Sequence, residues 1–383
     1  MFPRGRVLPT IGIFNGYGWY INDDVSHKWC LGLVVKAKKI QWTKKGLKMK
    51  YFIWIFISLL MLVNSVSAGQ IREYWVAAEI VEWDYAPTKK NLVMPKKGLG
   101  VWGNHLKYKK YRYIEYTDSS YSKKVKQPKW MGILGPQFRA EEGDKLKIHF
   151  KNKADKPISM HPHGVRYSKK NEGADMTGKG AAVKPNEQFT YEWDVDSDAA
   201  PGPSDPSSIV WVYHSHVDSV TEIYDGLIGT IVITKKGMAR SKSDPRPKDV
   251  DVAFTNMYFI FDENGREKIG KVKTVSHEDD EEGNLKHAIN GYLFGNLQGM
   301  VANKGDKIRW HLIGMGTEVD IHTAHWHGKT VLSGGHRTDV IELMPNSMRS
   351  VDMVADNPGS WLYHCHVTDH ITAGMSTRYT IKE

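Results

Sequence analysis

Cysteine is nearly absent from this chain, with Cys30 and Cys365 the only two in 383 residues. A disulfide-stapled scaffold is therefore excluded. Long apolar runs are missing too. The most apolar stretch, Tyr51 to Val63, falls short of the roughly 20 residues a membrane-spanning helix needs. Stretches with a 3.6-residue period are scarce, which argues against a helical protein. No basic stripe with interleaved aromatics is present, so the formal net charge of +10 gives no reason to expect a nucleic-acid partner.

The flanks of the apolar run give it a meaning. Met49 and Lys50 precede it, and it ends at Val66, Ser67 and Ala68, a basic start and a small-residue cleavage site. That pattern predicts a signal peptide over 49–68, with 1–48 a mis-assigned N-terminal extension. The mature chain is then expected to begin near Gly69, to be secreted or periplasmic, and to keep no stable membrane insertion after cleavage. Charge agrees with this division. The first 68 residues hold ten Lys+Arg against two Asp+Glu, so eight of the ten net positive charges lie there. Residues 69 to 383 retain a single cysteine, and an exported lone thiol is either at risk of oxidation or in use.

Short β-rich runs fill the mature chain, among them Lys145 to Phe150, Ile209 to Tyr213, Gly229 to Thr234 and Lys307 to Leu312, separated by Gly/Pro/Asn/Asp turns. This predicts an all-β sandwich class. The polar, proline-containing stretch before residue 250 reads as a linker. Both halves carry a Gly-Asp-Lys turn before a strand, a His-x-His-Gly and a Trp-x-Tyr-His-x-His. Two copies of one domain explain this, with boundaries at 69–236 and 250–383 and a linker at 237–249.

Residues i and i+2 of a strand share a face, so each His-x-His can present two imidazoles side by side. There are four such pairs: His161/His163, His214/His216, His325/His327 and His364/His366, which use eight of the 17 histidines. Imidazole suits copper, zinc, iron and nickel. Cys365 lies between His364 and His366 and leaves the strand on the opposite face. His370 and Met375 follow it, and His322 precedes the His325 pair. Two histidines, a thiolate and a weak axial methionine are the blue-copper set; a buried cysteine beside a core methionine is the ordinary alternative. Aligning the repeats puts Ile158 opposite His322, Ser215 opposite Cys365, Val220 opposite His370 and, allowing one extra residue, Leu227 opposite Met375. The first domain thus keeps the histidine pairs and lacks the blue-copper ligands.

The set HPHG, HSH, HTAHWH and HCHVTDHITAGM resembles the four copper motifs of the multicopper oxidases over residues 70 to 383. Within that family the motifs are similar to those of ceruloplasmin and hephaestin, which have six such domains where this chain has two. The resemblance implies two cupredoxin-like Greek-key β-sandwich domains and four coppers per functional unit. His322, Cys365, His370 and Met375 match the type 1 copper. His161 and His325 match the type 2 copper, and His163, His214, His216, His327, His364 and His366 match the type 3 pair. Electrons from a reductant would pass along the Cys365 strand to the trinuclear cluster, where dioxygen is reduced to water. Each domain supplies half of that cluster, and two domains cannot close the ring that six do, so a homotrimer is expected.

The family shares its oxygen chemistry and differs in reductant. The run EDDEEGNLKH at 278–287 reads, taken alone, as a solvated acidic loop. The resemblance implies instead an iron site made of Glu282, His287 and Asp369, with Glu318 coming from an adjacent domain. That favours Fe(II) as the reductant, hence a ferroxidase. A laccase-like phenol oxidase or a cuprous oxidase would use the same coppers. A non-catalytic sandwich module would show degraded copper motifs, and none is degraded here. A two-domain nitrite reductase would carry its blue copper in the first domain, where Ile158 and Ser215 stand.

Overall fold

Strand alternation dictates the architecture of the computed structural model, which describes residues 69–174, 178–264, 281–317 and 320–383. The expected extension, signal peptide, Glu318 and the start of the acidic run lie outside the described residues. Lys145–Asn152 shows the rule plainly: its side chains alternate between half-exposed Lys, Lys, His and Lys and buried Leu146, Ile148, Phe150 and Asn152. One face therefore meets a core and the other meets water.

The first half forms two four-stranded sheets. One runs in the order Lys107–Tyr116, Ile71–Asp84, Lys145–Asn152, Gln188–Asp194. The other runs Gln137–Glu141, Ile228–Thr234, Ser208–His214, His161–Pro162. Val76, Phe150, Trp193 and Tyr213 fill the space between them. The second half repeats the plan with sheets of six and five strands. Val252–Asp262 lies parallel to Lys307–Gly314 as Ile71–Asp84 lies parallel to Lys145–Asn152. Val301–Asn303 lies parallel to Ser376–Lys382 as Gln137–Glu141 does to Ile228–Thr234. The all-β expectation holds. Helix among the described residues is confined to short turns, such as Thr221–Tyr224 and Thr368–Thr372.

The two sandwiches pack as one compact unit. A shared core joins Val210, Val212 and Val232 of the first to Met257, Phe259 and Ile313 of the second. Each such side chain contributes about 2 kcal/mol by leaving water. Arg309, 1% exposed, adds direction: it grips Asp352 with two nitrogens and donates to Ser207 and Ser208 of the first sandwich. The segment expected as a plain linker holds a small hairpin, Ala239–Ser241 against Asp244–Pro247.

The glycine after each His-x-His has a packing reason. Gly164 and Gly328 sit at φ +77° and +73°, and a Cβ would fall 2.1 Å from the Trp211 ring and 2.7 Å from that of Trp361. These tryptophans open the motifs that supply the facing histidines, so each glycine lets two ligand-bearing strands close on one another.

Candidate metal centres

Strand pairing brings the histidine motifs together. His161 is the Cα partner of His214, and His325 is the partner of His364. Each sandwich thereby carries a quartet: His161, His163, His214 and His216 in the first, His325, His327, His364 and His366 in the second. Within each, ring centroids lie 5.1 to 5.7 Å apart.

Main-chain carbonyls orient the rings in the same way in both copies. His161 Nδ1 donates to Glu172 O at 2.7 Å, and His325 Nδ1 to Asp339 O at 2.8 Å. His214 Nδ1 donates to Ser215 O, and His364 Nδ1 to Cys365 O. A carbonyl can only accept, so these rings are Nδ1–H tautomers whose Nε2 lone pairs are free for a metal. His163 Nε2 lies 3.1 Å from His214 Nε2, and His327 Nε2 lies 3.1 Å from His364 Nε2. Two imidazole nitrogens at that distance need a proton or a metal ion between them. Burial lowers the pKa of His163 and His364 to about 4 and of His214 to about 3, so these rings are neutral at pH 7, the form that ligates.

A second kind of centre lies on the other face of the Gly359–Cys365 strand. His322, Cys365 and His370 are buried, and their donor atoms lie within 4.8 Å of one another. His322 Nε2 donates to Met315 O at 3.0 Å, which turns its Nδ1 toward His370 Nδ1 at 3.2 Å. His370 Nδ1 is 3.5 Å from Cys365 Sγ. Burial pushes the thiol pKa up, opposed by amide hydrogen bonds from Thr323 and Val367. Met375 is fully buried in the same core cluster, and its carbonyl accepts the Cys365 N–H. Two imidazole Nδ1 atoms and one sulfur, shielded from water, fit copper better than a hard cation.

The first sandwich has the same backbone without the donors. Ser215 N–H donates to Leu227 O as Cys365 N–H donates to Met375 O. Leu227 is thus the counterpart of Met375, as aligned, but the two spacings differ by two residues rather than one; Leu227 N–H donates to Glu222 O as Met375 N–H donates to His370 O, so Glu222 and not the expected Val220 stands opposite His370.

The residues expected to bind iron also converge. Glu282, His287 and Asp369 line one cleft with His370. His287 Nδ1 donates to Leu285 O, leaving Nε2 free, and its ring lies 5.2 Å from that of His370. Sequence reasoning missed Asp262 and Asp320, which line the same cleft, and Trp102 and Tyr224, which reach it from the first sandwich. Asp320 stands two residues before His322, a spacing that could have been noticed; nothing local marks Trp102.

Comparison with known proteins agrees with this geometry. Two family profiles, both described as multicopper oxidase, match residues 114–237 and 267–383. The chain is 38% identical over 360 residues to the ferroxidase HEPHL1 of Homo sapiens, covering 86% of this chain and 30% of that protein. It is 36% identical to human hephaestin (87% and 31% covered) and 38% identical to human ceruloplasmin (81% and 30%). The chain thus spans about 30% of the length of these relatives. A crystal structure of a multicopper oxidase superposes with a TM-score of 0.56 at 21% identity, covering 83% of this chain and 92% of that one. A blue copper oxidase from Nitrosomonas europaea gives 0.54 at 20%, covering 82% and 86%. Both share the cupredoxin-like sandwich fold.

Proposed function

This chain belongs to the multicopper oxidases, and from that premise we propose that it is a ferroxidase, oxidising four Fe²⁺ for each O₂ reduced to water. One observation carries the choice of reductant. A cleft of carboxylates with His287 opens beside His370, the imidazoles 5.2 Å apart. Carboxylate oxygens suit iron ions and hold Fe³⁺ more tightly than Fe²⁺, which eases loss of the electron. Glu282, His287 and Asp369 bind and orient the iron in this reading, with Glu318 of a neighbouring subunit as a further ligand.

His322, Cys365, His370 and Met375 are the residues that would hold the type 1 copper. His161 and His325 would hold the type 2 ion, and His163, His214, His216, His327, His364 and His366 the type 3 pair. When bound, these coppers accept single electrons and deliver four to dioxygen. The chain's part is to keep the buried imidazoles neutral and their rings oriented, and to shield His322, Cys365 and His370 from water. Cys365 sits between His364 and His366, so one short stretch of main chain joins the two donor sets.

The functional unit in this reading is a homotrimer. No ring contact joins the two histidine quartets among the described residues. The first quartet lies in an open cleft, where a further donor set from another chain could meet it. A closed head-to-tail ring of such chains is an allowed symmetry. The signal-like run at 49–68 supports export.

A laccase-like use of the same coppers has one observation in its favour, an apolar hollow beside Ile371 and Thr372, next in sequence to His370. Steady-state oxidation of Fe²⁺, 2,6-dimethoxyphenol and Cu⁺ by one copper-loaded preparation separates the readings. A kcat/KM for Fe²⁺ below that for the phenol or for Cu⁺ would overturn the ferroxidase assignment.

A further inference from the structure

Two hollows flank the short helix Thr368–Thr372 that carries His370. One is the acidic cleft just described. The other is mostly apolar, lined by Val93, Leu99, Phe294 and Ile371 among others. They share two lining residues, Trp102 and Thr372. Thr372 belongs to the helix itself. Trp102 belongs to the first sandwich, on the turn Gly100–Gly103 in the connection between its strands Ile71–Asp84 and Lys107–Tyr116.

The placement of Trp102 is fixed from several sides. Its carbonyl accepts from Lys286 Nζ at 3.1 Å, and Lys286 is fully buried. Lys286 adjoins His287 in a strand, so the two side chains leave on opposite faces: one anchors the tryptophan, the other faces the cleft. The indole meets the His287 ring edge-on at 6.5 Å and leans on Phe294 at 6.4 Å. Its Nε1 is buried without a hydrogen-bond partner among the described residues. A buried indole N–H normally finds an acceptor, so hydrogen bonding does not explain this side chain. Its size and position do.

We propose that Trp102 is a specificity-determining residue: a wall supplied by the first sandwich that separates the apolar hollow from the acidic cleft and keeps aromatic reductants away from His370. With the wall in place, a small hydrated cation reaches the carboxylates and a phenol ring does not. Without it, the apolar hollow and the cleft become one space, with an aromatic-binding end beside the helix that carries His370. The inference rests on the ferroxidase reading of the cleft.

The test replaces Trp102 by alanine and compares 2,6-dimethoxyphenol with Fe²⁺. The ratio of kcat/KM values, phenol over iron, should rise at least tenfold in Trp102→Ala. Trp102→Phe, which removes only part of the ring, should give a smaller rise in the same direction. Independently of catalysis, calorimetric titration of copper-free protein with the same phenol should detect binding at least tenfold tighter in Trp102→Ala than in the wild type. An unchanged ratio in both variants with the blue absorption intact, or equal phenol binding by copper-free wild type and Trp102→Ala, would overturn the assignment. A wild type that already prefers the phenol to Fe²⁺ would instead defeat the ferroxidase reading, so the two failures are distinguishable.

Discussion

Thr323 donates its backbone N–H to the sulfur of Cys365 at 3.4 Å. In the first sandwich Ser159 donates its N–H to the hydroxyl of Ser215 at 3.0 Å. The following bond is shared as well: His366 N–H is held by Thr323 Oγ1, and His216 N–H by Ser159 Oγ. One backbone thus accepts either sulfur or oxygen at this place. Cys365→Ser should therefore fold normally, and its defect should be chemical. We expect complete loss of the intense blue absorption, together with loss of oxidase activity. Absorption spectra and oxygen uptake on the purified variant check this; a variant that stays blue would mean that Cys365 is not the copper thiolate.

Glu282→Ala and Asp369→Ala should each lower kcat/KM for Fe²⁺ by at least about tenfold, equivalent to ~1.4 kcal/mol of transition-state binding. Oxidation of a bulky organic reductant should change far less, because neither carboxylate is among the proposed copper ligands. Equal losses on both substrates would indicate general damage near His370 rather than loss of an iron ligand.

A cluster assembled across subunits can be rebuilt from two broken parents. His161→Ala damages only the half of the cluster offered by the first sandwich, and His364→Ala only the half offered by the second. Each variant alone should be inactive. Mixed and reassembled, they can form some interfaces where two intact halves meet, so partial activity should return. Light scattering that finds an active monomer at high dilution would exclude the arrangement.

Glu115 gives the fold a pH dependence. Burial raises its carboxyl pKa from 4.5 to about 7. The folded chain therefore keeps a proton that the unfolded chain releases between those values. Its contribution to stability is fully present below pH 4.5, falls as pH rises to about 7, and is constant above. The loss is roughly 3 kcal/mol. Glu115→Gln should lose only this component, the buried histidines keeping their own opposite pH dependence in both proteins, and should be more stable than the wild type at pH 8. Denaturant unfolding of copper-free protein at pH 5 and pH 8 measures both; identical pH slopes in the two proteins would refute the assignment.

Much of the geometry of the candidate metal centres was legible in the sequence, because strands translate spacing into direction without tertiary information. His364, Cys365 and His366 alternate faces whatever lies around them, so two donor sets on opposite sides could be read from three letters. The His-x-His-Gly and Trp-x-Tyr-His-x-His repeats were legible as a duplication, though not the packing of Trp211 on Gly164 that ties one motif to the other. Other features arise only from distant chain segments coming together. The Met315 carbonyl selects which nitrogen of His322 faces the thiol, and a carbonyl leaves no mark in a sequence. Arg309 reads as an ordinary strand-edge cation until Ser207 and Ser208 arrive from the other sandwich. The two-residue difference between the Cys365–Met375 and Ser215–Leu227 spacings escaped because the intervening turns have no shared letters to align.

The common main-chain bonds around Ser215 and Cys365 also bear on ancestry. The sandwich with the Cys365 donor set and the sandwich without it differ in side chains at Ser215 and Leu227, while the hydrogen bonds that hold those two positions are the same. Exchanging sulfur for oxygen at this position therefore requires no refolding. In a lineage built by repeating this unit, a sulfur donor can come and go at this strand position while the sandwich around it stays as it was.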